Sequence, residues 1–153
     1  CVLAFCFPPF LLRLSESSTK TPETKTKKPT HTANMEIASN FARHYYGTFS
    51  GNRASLANLY TNDSMLSFQG AELKGQAAII EKLLSLPIRE IKYDDVTIDS
   101  QPTVGNGVLV VITGALLTDG EEHPLKFSQT FNLQPIPGQG GYYVLNDIFR
   151  LAV

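Results

Sequence analysis

The chain has 153 residues, 42% of them hydrophobic and 18% charged, with a formal net charge of -1, enough for one domain with a proper core. The charge is unevenly placed: residues 1–34 hold five basic and two acidic residues, and residues 35–153 hold eight basic and twelve acidic, a net charge of -4. So acidic a domain argues against nucleic acid, whose phosphates demand basic surface, and permits a basic protein partner.

Residues 1–34 read as a disordered extension or as non-native upstream sequence, and residues 35–153 as the domain. The opening run CVLAFCFPPFLL is apolar but short, and Pro8 and Pro9 break it. The following stretch is rich in Ser, Thr, Lys and Pro and lacks aromatics, a disordered composition. Met35 directly precedes the first periodic segment and is the expected natural start. Lys25–Lys28 suits a localisation signal, although basic tails are usually just solvated. Cys1 and Cys6 are the only cysteines, so the domain holds no disulfide framework and no cysteine metal site. No apolar run approaches the roughly 20 residues of a transmembrane helix, so no membrane partner is expected.

From Glu36 to Phe49 the spacing is helical: Ile37, Phe41, Tyr45 and Phe49 recur every fourth residue. Gly51–Asn52 interrupts the pattern. A short second helix is expected through Leu56, Leu59 and Tyr60, ending at Asn62–Asp63. Met65, Leu66 and Phe68 form a brief strand, and Gln69–Gly70 turns the chain into Leu73. Gly75 opens a third helix with Ile79, Ile80, Leu83, Leu84 and Leu86 on one face, and Pro87 stops it.

After Pro87 the period changes to that of strands. Ile91 and Tyr93, then Val96 and Ile98, bracket a parity slip at Asp94–Asp95, as a bulge produces. Pro102 to Gly107 is a loop. Val108–Leu117 is almost continuously apolar, which suggests a strand covered on both faces. In the next strand Leu125, Phe127, Phe131 and Leu133 share one parity, while Lys126, Ser128, Thr130 and Asn132 share the other, which implies one wet face. The turn between them carries Asp119, Glu121 and Glu122. PIPGQGG is a further loop, and Tyr142–Leu151 is the last strand. The order is three helices with a small strand pair, then a four-strand antiparallel meander, an α+β arrangement. Either this chain covers both faces of its sheet or the second face is a subunit interface. Three helices are too few for both faces, so a homodimer packed sheet to sheet is expected.

The segments FARHYYGTFSGNRASLANLYTNDSMLSFQG, KGQAAIIEKLLSLP, TGALLTDGEEHPLKFSQTFNL and YYVLNDIFRL resemble the nuclear transport factor 2 family, over about residues 36–153 and in order. The wording is nearest to plant-type members. The resemblance implies a cystatin-like, cone-shaped fold, with three N-terminal helices packed on a curved antiparallel sheet that dimerises through the face carrying Val111 and Ile148. It implies a carrier, not an enzyme, that takes Ran in its GDP form into the nucleus and binds phenylalanine-glycine repeats of pore proteins. The implied localisation is cytoplasm, nucleus and nuclear pore or envelope, with no cofactor and no metal. By motif position, Phe68, Ile91 and Phe149 would wall an apolar pocket for an aromatic side chain of Ran. Asp119 and Glu121 would form an acidic rim.

The sequence departs from the family pattern at several points. Gln69 stands where a glutamate is usual, so one charge pair is replaced by an amide contact, at a cost of about 1–2 kcal/mol if buried. Glu121 stands where animal members have aspartate, and Tyr93 where a histidine is common. No aromatic stands near Asn34 to help bind the repeats. The alternative is a small-molecule isomerase or dehydratase of the same fold, with an acid–base pair in the cavity: His44 with Asp63, or Asp147 with Tyr142 or Tyr143. A partly buried structural role suits His44 better. A third class is a module recruited for another partner, such as a messenger-RNA export heterodimer; the compact length favours the carrier.

Overall fold

The computed structural model describes residues 31–119 and 121–152. The expectations for residues 1–30 lie outside the described residues. The first helix, α1 (His31–Ser50), starts earlier than the apolar spacing indicates. It buries Ala38, Phe41, Ala42, Tyr45 and Phe49 along one stripe, the face expected from the four-residue repeat. Near its start the Asn34 carboxamide is buried and finds no hydrogen-bond partner among the described residues.

A 3-10 helix of seven residues, about two turns, follows at Arg53–Leu59, and strand β1 (Tyr60–Phe68) begins directly after it. The expected second helix therefore stops short of Asn62–Asp63. The physical reason is tertiary. The Tyr60 hydroxyl donates to Asp147 Oδ2 at 2.7 Å, and the Ser64 hydroxyl bonds the Val144 carbonyl. Both contacts require an extended chain beside the last strand. β1 turns into β2 (Ala71–Lys74) through Gln69 and Gly70, whose φ values are 52° and 89°. Two consecutive left-handed residues are what a tight hairpin requires, and glycine takes the second place at no steric cost. Helix α2 (Gln76–Leu84) buries Ile79 and Leu83, and Pro87 lies just beyond it.

The remaining strands are β3 (Ile91–Pro102), β4 (Val108–Thr118), β5 (Leu125–Pro135) and β6 (Tyr142–Ala152). They form the expected antiparallel meander. The six-stranded sheet has the order β2-β1-β6-β5-β4-β3. One joint differs from the expectation of an all-antiparallel sheet: β1 runs parallel to β6, pairing Leu66 with Asp147 and Phe68 with Phe149. The sheet is mixed. Short turns dictate the direction of each meander strand, but β1 reaches β6 across the whole domain, and no local turn specifies its sense.

Three register shifts interrupt the sheet, one of them in the β1–β6 pairing between Tyr60 and Met65, and the other two curve the meander. The β3–β4 register shifts between Asp94 and Thr97, with Asp95 at φ 48°, the bulge expected from the parity slip. A second shift lies between Asn132 and Leu133 in the β5–β6 pairing. Bulges bend and twist the strands that carry them, and the concave face closes over α1 and α2. That face buries Val108, Val110, Ile112, Leu116, Phe127, Phe131, Leu133 and Val144.

The convex face is mixed. Leu109 and Val111 are half-buried, and Thr113 is exposed. Within this single chain β4 is covered fully on one side only, and its other face is the one expected to meet a second copy. Ile148 is 52% exposed and Met65 43%. Ile148 pairs with Thr130 in β5, which pairs with Val111 in β4, so Ile148 and Val111 share a row on this face.

Gly107 shows how tightly β4 is entered. A Cβ there would overlap the side chains of Gln134 and Thr103 and approach the Leu133 carbonyl oxygen to 2.7 Å. The backbone contact cannot be relieved by a rotamer change. Gly107→Ala should cost about 1–3 kcal/mol, read as a lower urea midpoint with an unchanged slope; an unchanged midpoint would show that the strand entry is looser.

Candidate functional site

The curved sheet and the two α-helices enclose a cavity of about 310 Å³. Its deep end is set by Tyr45, Tyr46, Leu66, Leu116 and Gln129, and its outer wall by Phe68, Ile91, Phe149 and the Pro87–Ile88 segment. Most of the wall is apolar, and its aromatic rings pack on one another. Phe68 stacks on Phe149 with centroids 4.9 Å apart, Phe149 on Phe127 at 6.0 Å, and Tyr93 lies over Tyr46 at 4.4 Å. The Lys82 ammonium covers the outer side of Phe68 at 5.3 Å from its centroid, a cation–π contact.

The polar groups of the cavity belong to a buried network. Asp147 is 1% exposed. Its carboxylate accepts from Tyr60 at 2.7 Å, from Gln129 Nε2 at 2.9 Å and from Tyr45 at 3.4 Å. Tyr46 donates to Gln129 Oε1 at 3.1 Å. Burial raises the Asp147 pKa to about 6, against the lowering effect of the Gln129, Tyr60 and Tyr45 hydrogen bonds. Burial likewise holds the Tyr45, Tyr46 and Tyr60 hydroxyls well above the ordinary phenol range. These are structural bonds: both carboxylate oxygens are occupied by side chains of the chain itself.

Neither acid–base pair considered from the sequence forms. His44 and Asp63 are both exposed, on α1 and β1, and His44 is not the partly buried structural histidine expected. Asp147 engages Tyr45 and Tyr60, in place of Tyr142 or Tyr143, because the register shift after Val144 puts it on the concave face of β6 with Phe149 and Leu151, opposite Phe131 of β5. Among the described residues no group of three or more His, Cys, Asp or Glu could hold a metal ion.

Five of the six residues named for the partner site line the cavity, and the sixth, Gln69, does not line it but follows Phe68 in the exposed turn after β1. Phe68, Ile91 and Phe149 line the mouth, half-buried, and Asp119 and Glu121 lie exposed at its edge. Two of the polar ones are also engaged within the chain. Asp119 accepts from the Arg89 backbone N–H at 3.0 Å and from that of Glu90. The bond from Glu90 is the main reason its carboxyl lies below the usual range. It ties the β4–β5 turn to the segment that carries Ile91. Gln69 Oε1 accepts from the Leu151 N–H at 2.8 Å, and the Gln69 N–H donates to the Phe149 carbonyl at 3.1 Å. The turn after β1 is thereby pinned to β6, which fixes the Phe68–Phe149 stack.

Several site residues were not anticipated. Gln129 is a polar residue on the apolar parity of β5, between Phe127 and Phe131, and that misplacement was its signal. Arg53 donates to the carbonyls of Phe49, Leu83, Leu86 and Ile88, so one guanidinium holds the end of α2 and the wall beyond it. Nothing in its spacing marks that role.

An α+β cone of the cystatin-like class, with one apolar cavity and an acidic lip, is the kind of protein this architecture defines. The chain belongs to the nuclear transport factor 2 family: residues 37–151 match the nuclear transport factor 2 (NTF2) domain. It is 51% identical over 118 residues to nuclear transport factor 2 of Emericella nidulans, covering 76% of this chain and 94% of that protein. It is 49% identical over 116 residues to nuclear transport factor 2B of Arabidopsis thaliana, covering 75% and 91%. The structure of nuclear transport factor 2 from Cryptosporidium parvum superimposes with a TM-score of 0.74 at 39% identity, covering 82% of this chain and all of that one. These relatives carry the name of a transport factor, not of an enzyme.

Proposed function

We propose that this protein acts in nuclear transport as a carrier that binds Ran in its GDP form and moves it into the nucleus. The observation that carries the reading is the mouth of the cone. Phe68, Ile91 and Phe149 surround an opening that fits an aromatic side chain, and Asp119 and Glu121 stand beside it in reach of basic residues. Anchor and charge divide the work: the buried ring supplies desolvation energy, and the rim charges supply register and encounter rate. Asp119 already serves the Arg89–Glu90 backbone, so Glu121 is the freer charge. Gln69 keeps an N–H₂ group for the partner while its oxygen stays on Leu151.

The carrier is proposed to work as a homodimer through the convex face that includes Val111 and Ile148. It would pass pores by binding phenylalanine-glycine repeats in the apolar groove between subunits, and so move between cytoplasm and nucleus through the pore. Residues 35–153 form the functional unit of this proposal. The carrier reading is preferred to an enzymatic one because Asp147, the carboxylic acid that burial raises most among the described residues, has its oxygens committed to Tyr60, Tyr45 and Gln129.

Immobilised Ran-GDP is expected to retain the protein, and Ran loaded with a GTP analogue is not. Equal retention on both would refute the carrier reading. Glu121→Lys should weaken retention by about tenfold at low salt, and less as salt rises, because a rim charge acts mainly on encounter. Unchanged binding would remove Glu121 from the interface.

A further inference from the structure

The cavity is larger and more polar at its deep end than a single anchoring ring requires. A cavity of roughly 150 Å³ is enough to hold benzene, and this one measures about 310 Å³. One aromatic side chain entering through the mouth fills about half of it. The other half ends on hydrogen-bonding groups that a hydrocarbon ring cannot use. Gln129 Oε1 has a second lone pair beside the one that takes the Tyr46 hydroxyl, and the Tyr46 oxygen keeps its own acceptor sites. The Tyr93 hydroxyl has no hydrogen-bond partner among the described residues. It lies within the influence of Arg53, whose cation offsets part of the burial that raises its pKa.

These features describe a ligand. The lining contains no basic side chain, and its acids stand at the lip, so an anion is repelled at entry and finds no direct ion pair inside. The aromatic walls favour a flat, apolar body. The volume calls for two fused rings. The deep polar groups call for one substituent that both accepts, from Tyr93, and donates, to Gln129 or Tyr46. We propose that the cone is also a small-molecule site for a neutral bicyclic aromatic bearing one hydroxyl group, held by Tyr93, Tyr46 and Gln129 between the Phe68–Phe149 and Tyr46–Tyr93 walls. A cavity that holds such a molecule has no room for a partner's ring, so this ligand would act as a competitor of protein binding. The site goes beyond the carrier reading and does not depend on it, because it is measured on this protein alone.

The probe is 2-naphthol, with naphthalene as the same body lacking the hydroxyl. Each is titrated into the parent protein and into Tyr93→Phe, which keeps the ring that packs on Tyr46 and removes only the hydroxyl. Amide and aromatic NMR shifts report the position. 2-Naphthol is expected to shift cavity residues and to bind the parent about fivefold to tenfold more tightly than it binds Tyr93→Phe, the effect of one hydrogen bond. Naphthalene should bind both proteins alike. Absence of cavity shifts up to the solubility limit overturns the proposal, and so does 2-naphthol binding that Tyr93→Phe leaves unchanged. In a second arm, 2-naphthol is added to the complex with Ran-GDP. Release supports a shared cavity. Cavity binding without release upholds the ligand site and overturns the assignment of the same cavity to the partner's ring.

Discussion

Asp147→Asn should gain stability relative to the parent protein by about 2–3 kcal/mol as pH rises from 4 to 7. The sign follows from burial. The native carboxyl is raised to about 6, above its value in the unfolded chain, so the native state holds its proton more tightly. Below the unfolded pKa both states are protonated and the group is neutral in its effect. As pH rises through the window between the two pKa values, the unfolded chain ionises first and the parent loses stability. Above about 6 the loss is complete. Asparagine does not titrate, and its oxygen can still accept from Tyr60. Its amide needs Gln129 to turn its oxygen inward, which Tyr46 permits because a phenol both donates and accepts. Urea unfolding of both proteins at several pH values measures the difference. A difference that stays flat from pH 4 to 7 would mean that Asp147 ionises normally in the native state.

Phe131→Ala should cost about 3–5 kcal/mol, the largest single loss expected from the core. The ring is fully buried. It meets Phe41 edge-on with centroids 4.9 Å apart and Tyr45 at 4.8 Å, so it joins the middle of the sheet to the middle of α1. In the sheet it stands between Val110 of β4 and Asp147 of β6. Truncation leaves a void next to the buried carboxylate network, and Tyr45, already held by Asp147 and Tyr60, cannot move to fill it. The fall in urea midpoint measures the loss. A change no larger than that of a surface substitution, about 0.5 kcal/mol, would place the ring outside the load of the core.

Much of this fold was legible residue by residue. The four-residue repeat through Phe41, Tyr45 and Phe49 gave the buried stripe of α1. The slip at Asp94–Asp95 gave the bulge in β3, and the alternation from Leu125 to Leu133 gave the concave face of β5. Gln69–Gly70 marked a turn whose residues adopt the positive φ values such a turn needs. What misled was local chemistry read without its distant partner. Tyr60 continues a helical spacing, yet its bond to Asp147, 87 positions away, draws it into β1. His44 sits among buried aromatics in the sequence but on the wet side of the helix. Asp119 reads as an acid free for a partner, and the structure adds the Arg89 and Glu90 amides that hold it.

The sequence by itself determined the kind of elements, their order, the apolar face of each and the family, because periodicity and turn chemistry are properties of neighbouring residues. The tertiary structure alone decided the parallel pairing of β1 with β6, the depth of the cavity, the identity of its polar floor and the intrachain hydrogen bonds of Asp119 and Gln69. Each of those depends on which atoms meet across tens of residues. A hydrophobic pattern states that a face must be buried, and only the closed sheet states against what.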